Sequence, residues 1–208
     1  MGLMVSLLFT PLGCGGGSSE PPLIQGTACT TTFNACGGDP TGTWDVVSVC
    51  VDGDLVSAFN ASMATDYAAC GNTFTAANLA LAGSVTYGAG KYTFDATMAV
   101  IESVAYTPAC VSALSGGATL NASACSQMQV NLNNEAGTKG TCTYAGTNCS
   151  CQATVTRTNT STGSYTLSGS TITEDSGTSY QFCVSGSTMI QREVVEGNAY
   201  GVTQMKKR

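Results

Sequence analysis

The stretch GTWDVVSVCV, residues 42–51, contains the only tryptophan of the chain and begins its first clear strand pattern. β-Branched residues are dense in it, and every second residue falls on the same face of a strand. The pattern therefore predicts a strand with one face formed by Trp44, Val46, Ser48 and Cys50. The residues that follow, Asp52 and Gly53, are a turn signal.

A period of two recurs along most of the remaining chain. Apolar residues alternate with small or polar ones in residues 79–87 and again in residues 92–106, with a Gly88-Ala89-Gly90 turn between them. From Cys142 onward, short alternating runs are separated by two- to four-residue turns, which indicates an antiparallel up-and-down meander. About eight strands result, and a sheet of eight can close on itself. We expect an all-β domain, an antiparallel barrel of about eight strands, with a β-sandwich as the alternative.

Two segments have helical rather than strand spacing. Apolar residues recur every fourth position in residues 55–68, which predicts a short helix. Pro108 ends the preceding strand, and residues 115–140 form an insertion without strand pattern. Asn121 is a candidate N-cap for a helix in this insertion, with Cys125, Met128 and Leu132 at helical spacing.

Eleven cysteines and no histidine are present in the 208 residues. Without paired CxxC motifs or imidazole ligands, disulfides in an oxidising compartment are favoured over metal, including at the close set Cys142, Cys149 and Cys151. We expect no metal site and a disulfide role for Cys29, Cys36, Cys50, Cys70, Cys110, Cys125, Cys142, Cys149, Cys151 and Cys183. Cys110 and Cys125 flank the insertion, and their pairing is our prediction. A small loop closed by Cys29 and Cys36 is a further possibility.

The remaining cysteine, Cys14, lies in an export pattern. Residues 3–9 are a short apolar run, and the following PLGC, residues 11–14, looks like a bacterial lipobox, in which Cys14 would carry the lipid. We therefore expect a signal peptide at residues 1–13, a tether and small cysteine loop at 14–41, and a folded domain at 42–208. Such a protein would be anchored through its lipid to the bacterial outer membrane or cell surface.

The chain resembles the lipocalins and lipocalin-like domains in three features. These are a Gly-x-Trp at the start of the first strand (Gly42-Thr43-Trp44), the meander, and an arginine in a late strand, Arg192. The resemblance implies that Trp44 closes the base of a barrel and stacks against Arg192. With the lipobox, the Gly/Ser-rich tether and the many cysteines, the whole chain resembles lipocalin-like surface lipoproteins of Gram-negative bacteria.

The composition excludes several classes of function. A net charge of −6 without a basic stripe argues against a nucleic-acid partner, and the absence of histidine removes the common catalytic triads. We expect a monomer without catalytic activity or cofactor that binds a small hydrophobic ligand. Its lining would be Tyr92, Phe94, Met98 and Val100, together with Trp44. The alternative is a structural or adhesive surface protein with a filled interior, whose Thr-rich outer faces meet proteins or glycans.

Glu102 is in phase with these apolar residues. It either points inward, as a polar contact for a ligand or a partner for Arg192, or is turned outward by a local bulge.

Overall fold

The computed structural model describes residues 22–30, 32–194 and 200–208. Its strands are β1 Ile24–Gln25, β2 Thr27–Ala28, β3 Gly42–Asp52, β4 Phe74–Gly88, β5 Lys91–Tyr106, β6 Thr138–Tyr144, β7 Cys149–Ser168, β8 Thr171–Glu174, β9 Ser179–Ser185, β10 Thr188–Glu193 and β11 Tyr200–Lys207. Its α-helices are α1 Leu55–Asp66, α2 Pro108–Ser115 and α3 Ala122–Asn134, and a 3-10 turn spans Ala68–Cys70.

Eight of the strands form a closed ring of hydrogen-bonded neighbours. The order around the ring is β3-β4-β5-β7-β8-β9-β10-β11, and β11 pairs with β3 to complete it. Every pairing within the ring is antiparallel. The predicted all-β class is confirmed. β6 lies outside the ring and pairs with the first part of β7.

The predicted helices begin close to where the sequence places them. Asp54 caps α1 by accepting hydrogen bonds from the backbone of Val56 and Ser57, and the Asn121 side chain accepts one from Ala124 at the start of α3. Pro108, which we expected only to end a strand, also begins α2, where proline's missing N–H costs nothing.

The residues before β3 are joined to the sheet. β3 and β4 pair directly only from Gly42 to Asp45. Beyond that point β1 pairs with β4, and β2 runs parallel to β3. Residues 24–30 and 32–40, which we assigned to a tether and small cysteine loop, therefore contact the sheet through β1, β2 and a disulfide to β3. Cys14 lies outside the described residues.

A bulge at Val47 changes which face of β3 is buried. Ser48 is opposite Gln204 and Val46 is opposite Met205, so Val47 has no partner on β11. An extra residue reverses the alternation beyond it. Trp44 faces the interior, as predicted. Beyond the bulge, Val49 faces the interior and Cys50 does not. The predicted single face of Trp44, Val46, Ser48 and Cys50 is therefore wrong beyond Val46.

The ring interior is densely packed at the Trp44 end. The cluster there consists of Trp44, Val85, Tyr87, Tyr92, Ile172, Phe182, Met189 and Met205. Its large side chains Trp44, Ile172, Phe182 and Met189 are 0% exposed. This end of the interior is therefore filled by the protein's own side chains.

All ten cysteines of the described residues form disulfides, as expected, but their partners differ from our prediction. The pairs are Cys29–Cys50, Cys36–Cys183, Cys70–Cys110, Cys125–Cys149 and Cys142–Cys151. The predicted Cys110–Cys125 bond is wrong, because α2 turns Cys110 toward the 3-10 turn while α3 turns Cys125 toward β7. Cys29 and Cys36 do not close a small loop. Five disulfides indicate an oxidising environment.

The described helices are all too short or too polar to cross a membrane.

Candidate functional site

The inward faces of β4, β5 and β7 carry an array of aliphatic side chains. The strand register places Leu79, Val100 and Val155 opposite one another, and Leu81 opposite Met98 in the next row. These five side chains, which we call the aliphatic patch, are all partly exposed. Leu79 also lies close to β11, two places away round the ring, because a Cβ added to Gly201 would be 3.4 Å from Leu79 Cδ2.

The predicted lining residues divide between two parts of the interior. Tyr92 is 5% exposed and belongs to the cluster around Trp44, against which Phe94 packs. Met98 and Val100 belong to the aliphatic patch, about two rows further along β5. The structure therefore brings Trp44, Tyr92 and Phe94 together in a packed core and leaves Met98 and Val100 partly open.

The sequence reasoning did not find Leu79, Leu81 and Val155 as neighbours of Met98 and Val100. The alternation of each strand is visible in the sequence, but the register that aligns the three strands is not.

Three polar side chains border the aliphatic patch: Arg157, which lies opposite Met98 on β7, and Glu102 and Thr138 at the other end. Glu102 lies in the row after Val100, between Ala77 and Ala153, so it faces inward without a bulge in β5. Burial raises the pKa of its carboxyl group, and the negative charge of Glu135 adds to the shift. Thr138 lies opposite Val155 and is 3% exposed, and its hydroxyl oxygen has no hydrogen-bond partner among the described residues.

Tyr106 follows on the same face as Glu102. Its burial, together with the charges of Glu102 and Glu135, raises the pKa of the Tyr106 hydroxyl to about 12. Neither of the two ion pairs in the described residues, Arg192–Asp52 and Arg208–Asp45, neutralises Glu102. The patch therefore ends at a partly buried carboxyl group whose pKa is raised and which no described cation neutralises.

The structure does not bring Trp44 and Arg192 together. The cation on the Trp44 ring is Lys207, whose Nζ lies 5.2 Å from the ring centroid. Lys207 is directly opposite Trp44 on β11, whereas Arg192 aligns through Val202 with Cys50, six residues further along β3 and on the opposite face.

Arg192 instead tethers the N-terminal segment to the outer face of the ring. Its guanidinium carbon lies 5.2 Å from the centre of the Phe33 ring. The same guanidinium forms an ion pair with Asp52 at 3.5 Å and donates a hydrogen bond to Gln181 at 2.8 Å. Arg192 is therefore occupied by structural contacts and is not available to the interior.

Three sulfurs meet on β6 and β7. The Sγ atoms of Cys142, Cys149 and Cys151 lie within 4.8 Å of one another, and those of Cys149 and Cys151 are 3.8 Å apart. Each belongs to a disulfide, so none is a thiolate that could bind a metal.

The outer face of the same strands forms an open groove with a volume of about 570 Å³. Two rows of side chains form its floor across β5, β7 and β6: Ile101, Thr154 and Lys139, then Ser103, Gln152 and Thr141. Five of these six side chains are polar, unlike those of the aliphatic patch on the opposite face.

No protein-family model matches the chain, and no curated protein has a similar sequence.

Proposed function

We propose that this protein binds a small, largely apolar ligand inside its ring of strands, against the aliphatic patch. The observation that carries the proposal is the contrast within the interior: one end is filled by fully buried side chains, whereas five inward aliphatic side chains remain partly exposed. Covering exposed apolar surface is favourable by about 25 cal/mol per Å². A mostly apolar concave site with a few polar groups is the usual form of a small-molecule site.

Glu102 and Thr138 suggest the chemistry of the ligand's polar end. At this end of the patch the negative charge of Glu135, and that of Glu102 when it is ionised, would repel a carboxylate, so a neutral hydroxyl or amide head group fits better here than a fatty acid anion. A protonated Glu102 carboxyl can donate a hydrogen bond to such a group. The absence of histidine and of a nucleophile–base pair in the sequence argues for binding rather than catalysis.

The test is titration of the full chain with a fluorescent twelve-carbon alcohol, compared with the matching fatty acid. We expect saturable uptake of the alcohol. Val100→Lys places a charge in the aliphatic patch and should weaken uptake about tenfold or more. Ile101→Lys is the matched control, because Ile101 is the next residue and faces outward.

Absence of saturable uptake by the unmodified chain, or equal weakening by both variants, would overturn the proposal. Equal near-ultraviolet circular dichroism spectra would show that the variants fold as the parent does.

For the architecture, we propose a lipocalin-like barrel anchored at a bacterial surface through lipidated Cys14. The closed ring of eight strands and the position of the Gly-x-Trp motif support the barrel. The five disulfides support a location outside the cytoplasm. Intact mass of protein from its native membrane tests both features. We expect an acylated N-terminus at Cys14 and a gain of about ten daltons on reduction; an unprocessed N-terminus would exclude the anchor.

A second candidate function is an adhesive role for the outer face. Five threonines alternate along β7 on this face: Thr154, Thr156, Thr158, Thr160 and Thr162. Loss of surface attachment on deletion of the gene, with no uptake of the alcohol, would favour this role over ligand binding.

A further inference from the structure

One edge of β7 is left without a neighbouring strand over seven residues. On its other edge β7 pairs with β5 without interruption, from Cys149 to Ser164. On its second edge, β7 pairs with β6 from Cys149 to Val155 and with β8 from Tyr165 to Ser168. Other contacts close the two ends. Thr156 donates to Gly137 O at 2.7 Å, and at the other end Asp175 donates to Ser164 O at 2.9 Å while its carboxylate accepts from Ser164 N at 2.8 Å. We call residues 157–163 the open edge.

The backbone groups that point out of the open edge can be identified by their alternation. Thr156 and Ser164 both direct their backbone groups to this side, so every second residue between them does the same. These residues are Thr158, Thr160 and Thr162, and all three are exposed. Their backbone N–H and C=O groups on this edge have no partner in the described part of the chain. The edge therefore offers three donors and three acceptors in strand geometry.

The outer edge of β6, in contrast, is covered. Asn133 of α3 exchanges two hydrogen bonds with the backbone of Gly140 on β6, and Gln129 accepts one from Cys142 N at 2.8 Å. Uncovered edges are templates for pairing with another chain, and proteins usually protect them. The open edge of β7 also lacks proline and bulges.

The surroundings of the open edge determine what can occupy it. Seven residues of strand span about 23 Å at 3.3 Å per residue. Because β6 and β8 lie at either end in the same layer, a second copy of β7, with its own β6 and β8, would collide with them. A lone extended segment, such as a tail or linker of another protein, meets no such obstacle.

We propose that the open edge of β7 binds an extended peptide segment of about seven residues by strand addition. Main-chain hydrogen bonds to Thr158, Thr160 and Thr162 would supply the affinity, as in other complexes formed by strand addition. The side chains of the open edge itself are mostly uncharged and hydroxylic, with Arg157 at one end; the carboxylates of Asp95 and Asp175 beside it accept hydrogen bonds from Thr160 and Ser164. Recognition is therefore tolerant of sequence and favours β-branched, uncharged segments. The proposal does not depend on a ligand in the interior.

Amide hydrogen exchange measured by NMR on the full chain tests the state of the edge. In the free protein, the amides of Thr158, Thr160 and Thr162 should exchange rapidly, whereas those of Asn159 and Ser161, which face β5, should be protected. Protection of the three threonine amides in the free protein would overturn the proposal, because the edge would already be covered.

The probe is an acetylated and amidated heptapeptide of alternating threonine and valine. It should slow exchange at the three threonine amides. N-methylation of every second residue removes the donors on one edge of the peptide only. One set of methylated positions should abolish binding, and the alternate set should leave it intact. Binding unaffected by both sets, or no effect of the parent peptide at millimolar concentration, would contradict strand addition.

A matched pair of variants tests the site on the protein. Thr160→Pro removes an outward N–H without touching the bonds to β5 and should weaken peptide binding about tenfold or more. Both variants lose the hydrogen bond from the Thr160 hydroxyl to Asp95. Thr160→Val keeps the backbone N–H, so its peptide binding should stay within about twofold of the parent's. Equal binding by the two variants would place the peptide elsewhere.

Discussion

Asn133 and the backbone of Gly140 are joined by two hydrogen bonds, the arrangement that a neighbouring strand would provide. The Asn133 side chain donates to Gly140 O at 3.0 Å and accepts from Gly140 N at 2.9 Å. Gln129, one helical turn earlier, accepts from Cys142 N. Side chains four residues apart lie on the same face of a helix, so α3 presents two amides along the edge of β6. The helix thereby completes a sheet edge that would otherwise be open.

Asn133→Ala should therefore lower the free energy of unfolding by about 1–2 kcal/mol, since two hydrogen bonds are lost at a partly exposed edge. Asn131→Ala is the matched control, because Asn131 is on the same helix and bonds only to Gln127. Urea unfolding measures both. Equal losses would mean that helix propensity, and not the edge contact, explains the effect.

Trp44 is stabilised chiefly by its burial and by one hydrogen bond, and only slightly by the cation beside it. Its Nε1 donates to Pro40 O at 2.7 Å in a buried position. Trp44→Phe should lower the free energy of unfolding by about 2–4 kcal/mol, because it leaves the Pro40 carbonyl unpaired and a cavity in the core. Lys207 is exposed, so Lys207→Ala should cost about 0.5–1 kcal/mol.

Lys206→Ala is the control for loss of a neighbouring surface charge on β11 and should change stability least of the three. Thermal unfolding followed by circular dichroism ranks the variants. A larger loss for Lys207→Ala than for Trp44→Phe would contradict this account.

The strands could be predicted because apolar residues recur locally at every second position. In β5 they do so from Tyr92 to Val100, and Lys91–Tyr106 forms one unbroken strand. Features that depend on contacts between distant segments could not be predicted in this way. The bulge at Val47 exists only in relation to β11, and β1 and β2, of two residues each, are too short to show a period.

The same distinction applies to the disulfides and to the candidate site. The number of cysteines and the lack of histidine were enough to predict disulfides, but the partner of Cys110 depends on how α2 packs. Met98 and Val100 could be proposed as inward residues from their alternation. Leu79, Leu81 and Val155 could not be added to them, because the register between strands is set by turns and by the bulk of the core.

The Cys36–Cys183 bond should contribute more to stability than the Cys29–Cys50 bond. Both attach the N-terminal segment to the sheet at partly or fully exposed positions, but their sequence separations are 147 and 21 residues. Loop entropy alone gives about 5 and about 3 kcal/mol, and the other disulfides shorten the larger loop, so we expect a difference of about 1 kcal/mol.

Urea unfolding of the double alanine variants without reductant provides the measurement. An equal or greater loss from Cys29→Ala/Cys50→Ala would show that packing of β2 against β3 outweighs loop entropy.

Glu102 should destabilise the protein at neutral pH, and its removal should reverse this effect. Burial, followed by the charge of Glu135, raises the pKa of Glu102 above its ordinary value of 4.5 in the folded state. Between the unfolded and folded pKa values the folded chain therefore holds more protons, so the free energy of unfolding falls as pH rises through this range.

Glu102→Gln should raise the free energy of unfolding at pH 7 and change it little below pH 4, where the carboxyl is protonated in both states. Glu135→Gln, which removes only the second cause, should give a smaller gain. Urea unfolding between pH 4 and pH 8 measures the difference from the parent chain; a Glu102→Gln variant less stable than the parent at pH 7 would show that the carboxylate is charged and paired in the folded state.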